Sequence, residues 1–236
     1  MSCQLDKGGE QITVSVSGPA EKLAVIMADP KGEKTSQTIE KERMMTNTSS
    51  VQFRIVSFEN NGQQIQPGTY SFVLKRFDPE KILEEVKFPL LLNRVEIKDF
   101  EVRAKKIGQE GGLAIKSISF SIEKDGNCPV IFNGVDVFAD DTQCRCPGNA
   151  AVVVGPTNSV CFELDCPVSR RKQQEYDARA KGQSMWSVGL PPLISVFGVG
   201  EKCTIKGKLC YGGGKSLEFG KEITFTSEDL RNAAAY

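Results

Sequence analysis

The stretch GQEGGLAIKSISFSIEKDGN, residues 108–127, decides the fold class. It opens with a glycine-rich segment and closes with Asp125-Gly126-Asn127, and both ends have the composition of turns. Between them Ile118, Phe120 and Ile122 alternate with polar residues, which is the period of a strand with one buried face. The stretch therefore predicts a half-buried β-strand bounded by two turns.

The same alternation recurs on both sides of this strand. Upstream, residues 12–16 alternate between apolar and polar side chains, and residues 70–74 do so after a Pro-Gly turn. Downstream, two apolar segments flank the glycines 212–214, as expected of a hairpin. The connections between these segments are too short for crossover helices, so the strands are expected to pair antiparallel.

These segments predict an all-β protein of two antiparallel β-sandwich domains in tandem. Residues 1–92 match the size of an immunoglobulin or fibronectin-III-like sandwich, and the pattern restarts after Leu92. Residues 93–236 predict a larger, cysteine-rich sandwich with a polar helical or loop insertion at residues 169–185. The likeness is one of architecture, because the single Trp186 lies beyond Cys166 and gives no immunoglobulin Cys-Trp-Cys spacing.

Charge and histidine content exclude several functions. The 30 basic residues balance the 30 acidic ones, which argues against a general nucleic-acid binder. Because the chain has no histidine, Ser-His-Asp catalysis, Cys-His catalysis and His-ligated zinc are excluded within it. We predict no catalytic residue, no metal site and no cofactor, and we expect that the protein is not an enzyme.

Eight cysteines, seven of them in the second domain, predict a disulfide framework. The cysteines of this framework are Cys128, Cys144, Cys146, Cys161, Cys166, Cys203 and Cys210. A zinc site and free buried thiols are the alternatives. A disulfide framework implies an extracellular or cell-surface location, or alternatively the cytoplasm of a hyperthermophile.

The strongest candidate for partner recognition is the basic, polar segment within the predicted insertion at residues 169–185, which has almost no apolar residues. Its predicted binding residues are Arg170, Arg171, Lys172, Tyr176, Arg179 and, just beyond them, Trp186. The alternative is a solvated insertion without a partner. The adjoining segment 185–199 is either a core strand or an exposed apolar patch used in assembly.

The ends of the chain show no membrane-spanning signal. No apolar h-region follows Met1, so no signal peptide is expected in the chain as given, and a lipid anchor at Cys3 stays open as an alternative. The least charged stretch, residues 182–200, contains two prolines and several glycines, so no transmembrane segment is predicted.

These features predict a non-catalytic binding or adhesion module. It would recognise a protein or polymer partner through loops of the second domain, because sandwiches present loops on a rigid frame. The first alternative is a self-assembling structural subunit of a filament, sheath or virion, which would use edge strands and residues 185–199. The second is a hydrolase whose carboxylates the sequence does not identify.

Overall fold

A computed structural model describes residues 1–17, 22–40, 48–59, 62–77, 79–107, 112–140, 142–144, 146, 150–164 and 197–233. Within these residues the chain is nearly all β-strand, with one short helix, Ser227–Asn232 (α1), near its C-terminal end. All strand pairs are antiparallel. The predictions of an all-β class and antiparallel pairing are confirmed.

The first half of the chain forms two main sheets and a hairpin. Its strands are β1 Ser2–Leu5, β2 Gln11–Ser17, β3 Lys22–Ala28, β4 Lys34–Glu40, β5 Thr48–Arg54, β6 Val56–Glu59, β7 Gly62–Ile65, β8 Gly68–Arg76 and β9 Lys81–Leu90. The sheets have the orders β1-β2-β5 and β4-β3-β8-β9, and β6-β7 stands apart as a two-stranded hairpin. Phe53 and Phe72 meet between the two main sheets, with ring centroids 5.6 Å apart. We call this half the N-terminal sandwich.

The second half repeats this arrangement. Its strands are β10 Arg94–Ile107, β11 Gly112–Asp125, β12 Val130–Ala139, β13 Thr142–Cys144, β14 Ala151–Val153, β15 Thr157–Glu163, β16 Lys202–Tyr211 and β17 Lys215–Thr224. The sheets have the orders β10-β11-β15 and β13-β12-β16-β17, with β14 also paired to β12. Phe120 and Phe219 pack between these sheets, with centroids 4.9 Å apart. We call this half the C-terminal sandwich.

The alternating residues of the sequence form the buried face in each sandwich. Ile118, Phe120 and Ile122 on β11 are fully buried, and so are Ile12 and Val14 on β2. Each sandwich has its own hydrophobic core, and Leu92 packs against both. The division into domains 1–92 and 93–236 stays a prediction, and the insertion 169–185 lies outside the described residues.

The predicted disulfides do not form between the cysteines of the described residues. Free thiols are found at Cys128, Cys146, Cys161 and Cys210, so this part of the prediction was wrong. The side chain of Cys144 and all of Cys166 lie outside the described residues.

In the sheet register, residues other than cysteine lie opposite the cysteines of β15 and β16. Cys210 on β16 lies opposite Gly134 on one side and Ser216 on the other. Cys161 on β15 lies opposite Ser119 and is exposed, and Cys203 lies opposite Ile223 and is 1% exposed. At its buried position in the core of the C-terminal sandwich, Cys203 packs as a small apolar side chain. The inference of an oxidising compartment therefore loses its basis in these residues.

Candidate functional site

The predicted binding residues cannot be placed in the fold. Arg170, Arg171, Lys172, Tyr176, Arg179 and Trp186 all lie outside the described residues. Of the segment 185–199, the described part begins at Phe197, which exchanges two backbone hydrogen bonds with Leu113 and stacks on Phe225 at 4.8 Å. Phe197 therefore belongs to the core, whereas Val199 is 47% exposed.

The joint between the two sandwiches combines hydrogen bonds with close backbone contacts. The turn after β11 lies against the segment that ends β9. Asn127 accepts a hydrogen bond from the Leu91 N–H through Oδ1 at 2.7 Å and donates to the Pro89 carbonyl from Nδ2 at 2.9 Å. The Cys128 N–H donates to the Leu91 carbonyl at 2.9 Å. One turn of the C-terminal sandwich thus satisfies backbone groups of the chain that leaves the N-terminal sandwich.

Gly126 is the residue that permits this close approach. Its φ is +103°, a region that side-chain-bearing residues rarely adopt, and a Cβ at this position would lie 2.0 Å from the Leu91 carbonyl oxygen. The neighbouring Asp125 carbonyl accepts a bond from the Asn93 N–H at 3.1 Å. Any side chain at residue 126 would push the backbone of this turn away from the backbone at Leu91.

Two side chains of the C-terminal sandwich lie inside the core of the N-terminal sandwich. Cys128 is 0% exposed and Ile131 is 1% exposed, and both belong to the cluster that contains Phe53 and Phe72. Burial raises the pKa of the Cys128 thiol to about 11. The joint is therefore packed like a domain core rather than like a flexible linker.

A buried lysine also donates a hydrogen bond to the same turn. Lys124 is 4% exposed, and its Nζ donates to the Gly126 carbonyl at 2.8 Å. Burial lowers the pKa of this amine, because the charged form is disfavoured away from water. The bond to Gly126 fixes the turn in the conformation that meets Leu91.

The β6–β7 hairpin makes a second contact across the joint. Asn133 on β12 accepts from the Gln63 N–H through Oδ1 at 2.8 Å and donates to the Gln63 carbonyl from Nδ2 at 2.9 Å. The side-chain amide of Asn133 thus makes the pair of hydrogen bonds that the backbone of a neighbouring strand would make. Gly62 leaves room for it, because a Cβ there would lie 2.9 Å from the amide nitrogen.

Two further glycines allow close contact at the sides of the joint. Gly9, with φ of +75°, lies against Pro129 and Val154, and a Cβ there would come within 2.8 Å of Val154 Cγ2. Gly213, in the turn between β16 and β17, lies against the Gln64 side chain. The joint therefore has contacts on several sides, which opposes bending in more than one direction.

Among the residues that the structure describes, no three Cys, Asp or Glu side chains come together to form a metal site. The same part of the chain contains no helix of the length and apolar character needed to cross a membrane.

The described residues also line two cavities at the surface. The larger, about 470 Å³, lies on the outer face of β12, β16 and β17, where Phe138 is flanked by the Lys208–Glu218 ion pair. The smaller, about 260 Å³, is polar and lies in the N-terminal sandwich next to Tyr70 and the Lys31–Glu59 ion pair. The larger cavity is lined mainly by apolar surface and the smaller mainly by polar surface.

Sequence reasoning identified the turn at residues 125–127 but not its role. The signal was present in part, because a Gly flanked by Asp and Asn and followed by a Cys-Pro pair marks a constrained turn next to an apolar position. Asn133 gave no such signal, since one asparagine on a strand does not reveal what it faces.

Comparisons with known proteins give weak structural likenesses only. No protein-family model and no curated protein matches the sequence. Among solved structures, the chain is similar at 10% identity to a Ca²⁺-stabilised adhesin that helps an Antarctic bacterium reach out and bind ice, over 93% of this chain and 44% of that one, with a TM-score of 0.28.

It is also similar at 10% identity to a tetra-tandem repeat in the extending region of a large adhesion protein, over 95% of this chain and 48% of that one, with a TM-score of 0.27. A third match at 10% identity is the receptor tyrosine kinase Torso, over 98% of this chain and 76% of that one, with a TM-score of 0.25. The chain spans less than half the length of the first two structures. Likenesses of this size do not establish a common fold.

Proposed function

We propose that this protein is a non-catalytic, adhesion-type binding module of the cell surface, built from two tandem immunoglobulin or fibronectin-III-like sandwiches. Its second sandwich would present partner-binding loops on a rigid frame. The observation that carries the proposal is the joint, where Cys128 and Ile131 of one sandwich lie in the core of the other. A frame of this kind fixes the position of its loops relative to the rest of the chain.

The strand orders support the part of the proposal that describes the sandwiches as immunoglobulin or fibronectin-III-like. A three-stranded sheet faces a four-stranded sheet in the N-terminal sandwich and a five-stranded sheet in the C-terminal sandwich. Apart from the additional strand β14, the order of pairings is the same in both. In the N-terminal sandwich, Tyr70 lies near the start of β8, and its hydroxyl donates to the Gln66 carbonyl at 3.2 Å. This arrangement resembles the tyrosine corner of immunoglobulin-like sandwiches, in which a tyrosine hydroxyl bonds to backbone a few residues upstream, and it supports the proposal.

The proposal places partner recognition in the basic segment that includes Arg170, Arg171 and Lys172. Its test replaces these three residues by alanine. The control replaces Lys34, Lys81 and Lys87, three exposed lysines of the N-terminal sandwich, and so removes the same charge from another surface. Purified wild type and both variants are applied to wells coated with collagen, mucin, chitin or peptidoglycan.

We expect wild type and control to be retained on at least one coating and the Arg170/Arg171/Lys172 variant to bind it at least tenfold more weakly. Circular dichroism verifies that the variant keeps its strand content. Equal retention of all three proteins would overturn the assignment to this segment. Retention of none, together with concentration-dependent association of the wild type, would favour the self-assembling subunit instead.

A further inference from the structure

The two sandwiches are repeats, so their ends can be compared turn by turn. Matching the sheet orders places β10 with β1, β12 with β3, and the last pair β16–β17 with β8–β9. The turn at Gly212–Gly214 in the C-terminal sandwich therefore corresponds to the connection between β8 and β9 in the N-terminal one. Each turn lies at the same end of its sandwich.

In the C-terminal sandwich this end is covered. The turn after β11 is bonded to residues 89–91, and Gly213 lies against Gln64 of the β6–β7 hairpin. The partner that covers it is the opposite end of another sandwich. The structure thus contains one complete example of an end-to-end contact between units of this fold.

At the corresponding end of the N-terminal sandwich, the described residues expose three apolar side chains. Phe77 is 49% exposed, Ile82 is 62% exposed and Leu83 is 38% exposed, all within seven residues of one turn. β9 runs ten residues, about 33 Å, from this turn to the joint. This apolar tip, Phe77 with Ile82 and Leu83, is therefore at the end of the sandwich farthest from the joint.

The opposite end of the molecule also exposes an apolar side chain. Val199 precedes β16, whose ten residues run from that end to the turn at the joint. The other large exposed apolar residues of the described chain, Phe58 and Leu91, lie beside the joint, in the hairpin and in the linking segment. Exposed apolar surface is thus concentrated where sandwich ends meet or are free to meet.

We infer that the apolar tip docks the Val199 end of a second copy of this chain, repeating between molecules the end-to-end contact found within one. The contact joins two different surfaces, so it does not close on itself. Copies add head to tail and form linear chains. This inference rests on the tandem repeat and not on the basic segment assigned to partner binding.

The test is sedimentation velocity over a wide concentration range. Wild type is expected to associate as its concentration rises, and Ile82→Glu and Val199→Glu are each expected to weaken association at least tenfold. Both side chains are exposed, so folding should be retained, which circular dichroism verifies. The control is Phe58→Glu, the most exposed of these residues at 69% but located beside the joint; it should associate like wild type.

A mixture of the two variants makes the test specific for head-to-tail contact. Ile82→Glu keeps an intact Val199 end and Val199→Glu keeps an intact tip, so the mixture should form dimers that grow no further. If Val199→Glu associates like wild type, the tip meets another tip and the inference is wrong. A wild type that stays monomeric at every concentration overturns it, whatever the basic segment does in the binding assay.

Discussion

At the scale of single residues, glycines with similar backbone angles face different surroundings. Gly126 and Gly200 have φ of +103° and +89°, but a Cβ on Gly126 would strike the Leu91 carbonyl, whereas one on Gly200 would meet nothing within 4 Å. Substituting Gly126 and Gly200 in turn therefore separates two losses of stability. One comes from the unfavourable backbone angle, and the other comes from the steric clash at the joint.

We predict that Gly126→Ala lowers the free energy of unfolding by more than Gly200→Ala does. The angle alone costs about 1–3 kcal/mol in either variant, and only Gly126→Ala also loses the contact with Leu91. Urea unfolding followed by circular dichroism measures both. We expect Gly126→Ala to split one transition into two, because the sandwiches then unfold separately; equal losses and one transition in both variants would contradict the role of Gly126.

The second prediction concerns the pH dependence of stability that arises from the buried thiol of Cys128. Its pKa is 9.0 in an ordinary setting and about 11 in the folded protein, because burial disfavours the thiolate. A raised folded-state pKa gives stability that is complete below pH 9 and is lost as the pH rises towards 11. The advantage of wild type over Cys128→Ala should therefore fall by about 2–3 kcal/mol across this window.

The measurement is the urea unfolding free energy of wild type and Cys128→Ala from neutral pH to pH 11. Lys124 titrates with the opposite sign, since burial lowers its pKa. Both proteins retain it, so the difference between them contains only its electrostatic coupling to the Cys128 thiolate. Cys128→Ser is the control, because a hydroxyl does not titrate in this window and should reproduce the behaviour of Cys128→Ala. A difference that is constant with pH would contradict the prediction.

At the scale of elements, the β6–β7 hairpin depends on a neighbour outside its own sandwich. Asn133 bonds both the N–H and the carbonyl of Gln63. We predict that Asn133→Ala destabilises the protein by about 1–3 kcal/mol, since each lost hydrogen bond contributes roughly 0.5–1.5 kcal/mol. Hydrogen exchange of the Gln63 amide should become markedly faster.

A matched control is Gln143→Ala, an exposed amide on the adjacent strand β13. Asn133→Asp is a sharper probe, because it keeps the acceptor for the Gln63 N–H but sets a carboxylate oxygen against the Gln63 carbonyl. We expect it to be at least as damaging as alanine. If hydrogen exchange at the Gln63 amide is unchanged in both Asn133 variants, the hairpin is stable without its contact across the joint.

Elements with a strictly alternating pattern could be predicted from the sequence, and the hairpin could not. β2 and the second half of β11, from Ile118 to Lys124, bury every second residue, so the sequence pattern identifies their buried faces. β6 and β7 are short and mainly polar, and their partner Asn133 is 70 positions away from Gln63. Their local composition therefore contains little of the information that fixes them.

At the scale of the whole molecule, the joint is the part that sequence reasoning could not reach. It brings together Gly9, Gln63, Leu91, Asn127 and Asn133, which are distant along the chain. The cysteines show the same limit, because the clustering of seven of them in the second half predicted covalent pairs. Only register and burial reveal that Cys210 faces glycine and serine instead.

A joint with contacts on several sides should make the two sandwiches tumble and align as one body. Residual dipolar couplings measured in weakly aligned protein test this directly, because each sandwich reports its own alignment tensor. We predict that one tensor fits both sandwiches in wild type and that two different tensors are needed in Gly126→Ala/Asn133→Ala. The Gly200→Ala variant should keep the single tensor, because its change lies at the far end of the C-terminal sandwich. Two tensors in wild type would mean that the buried Cys128 and Ile131 do not hold the frame rigid, and the proposal of a fixed binding platform would then lose its physical basis.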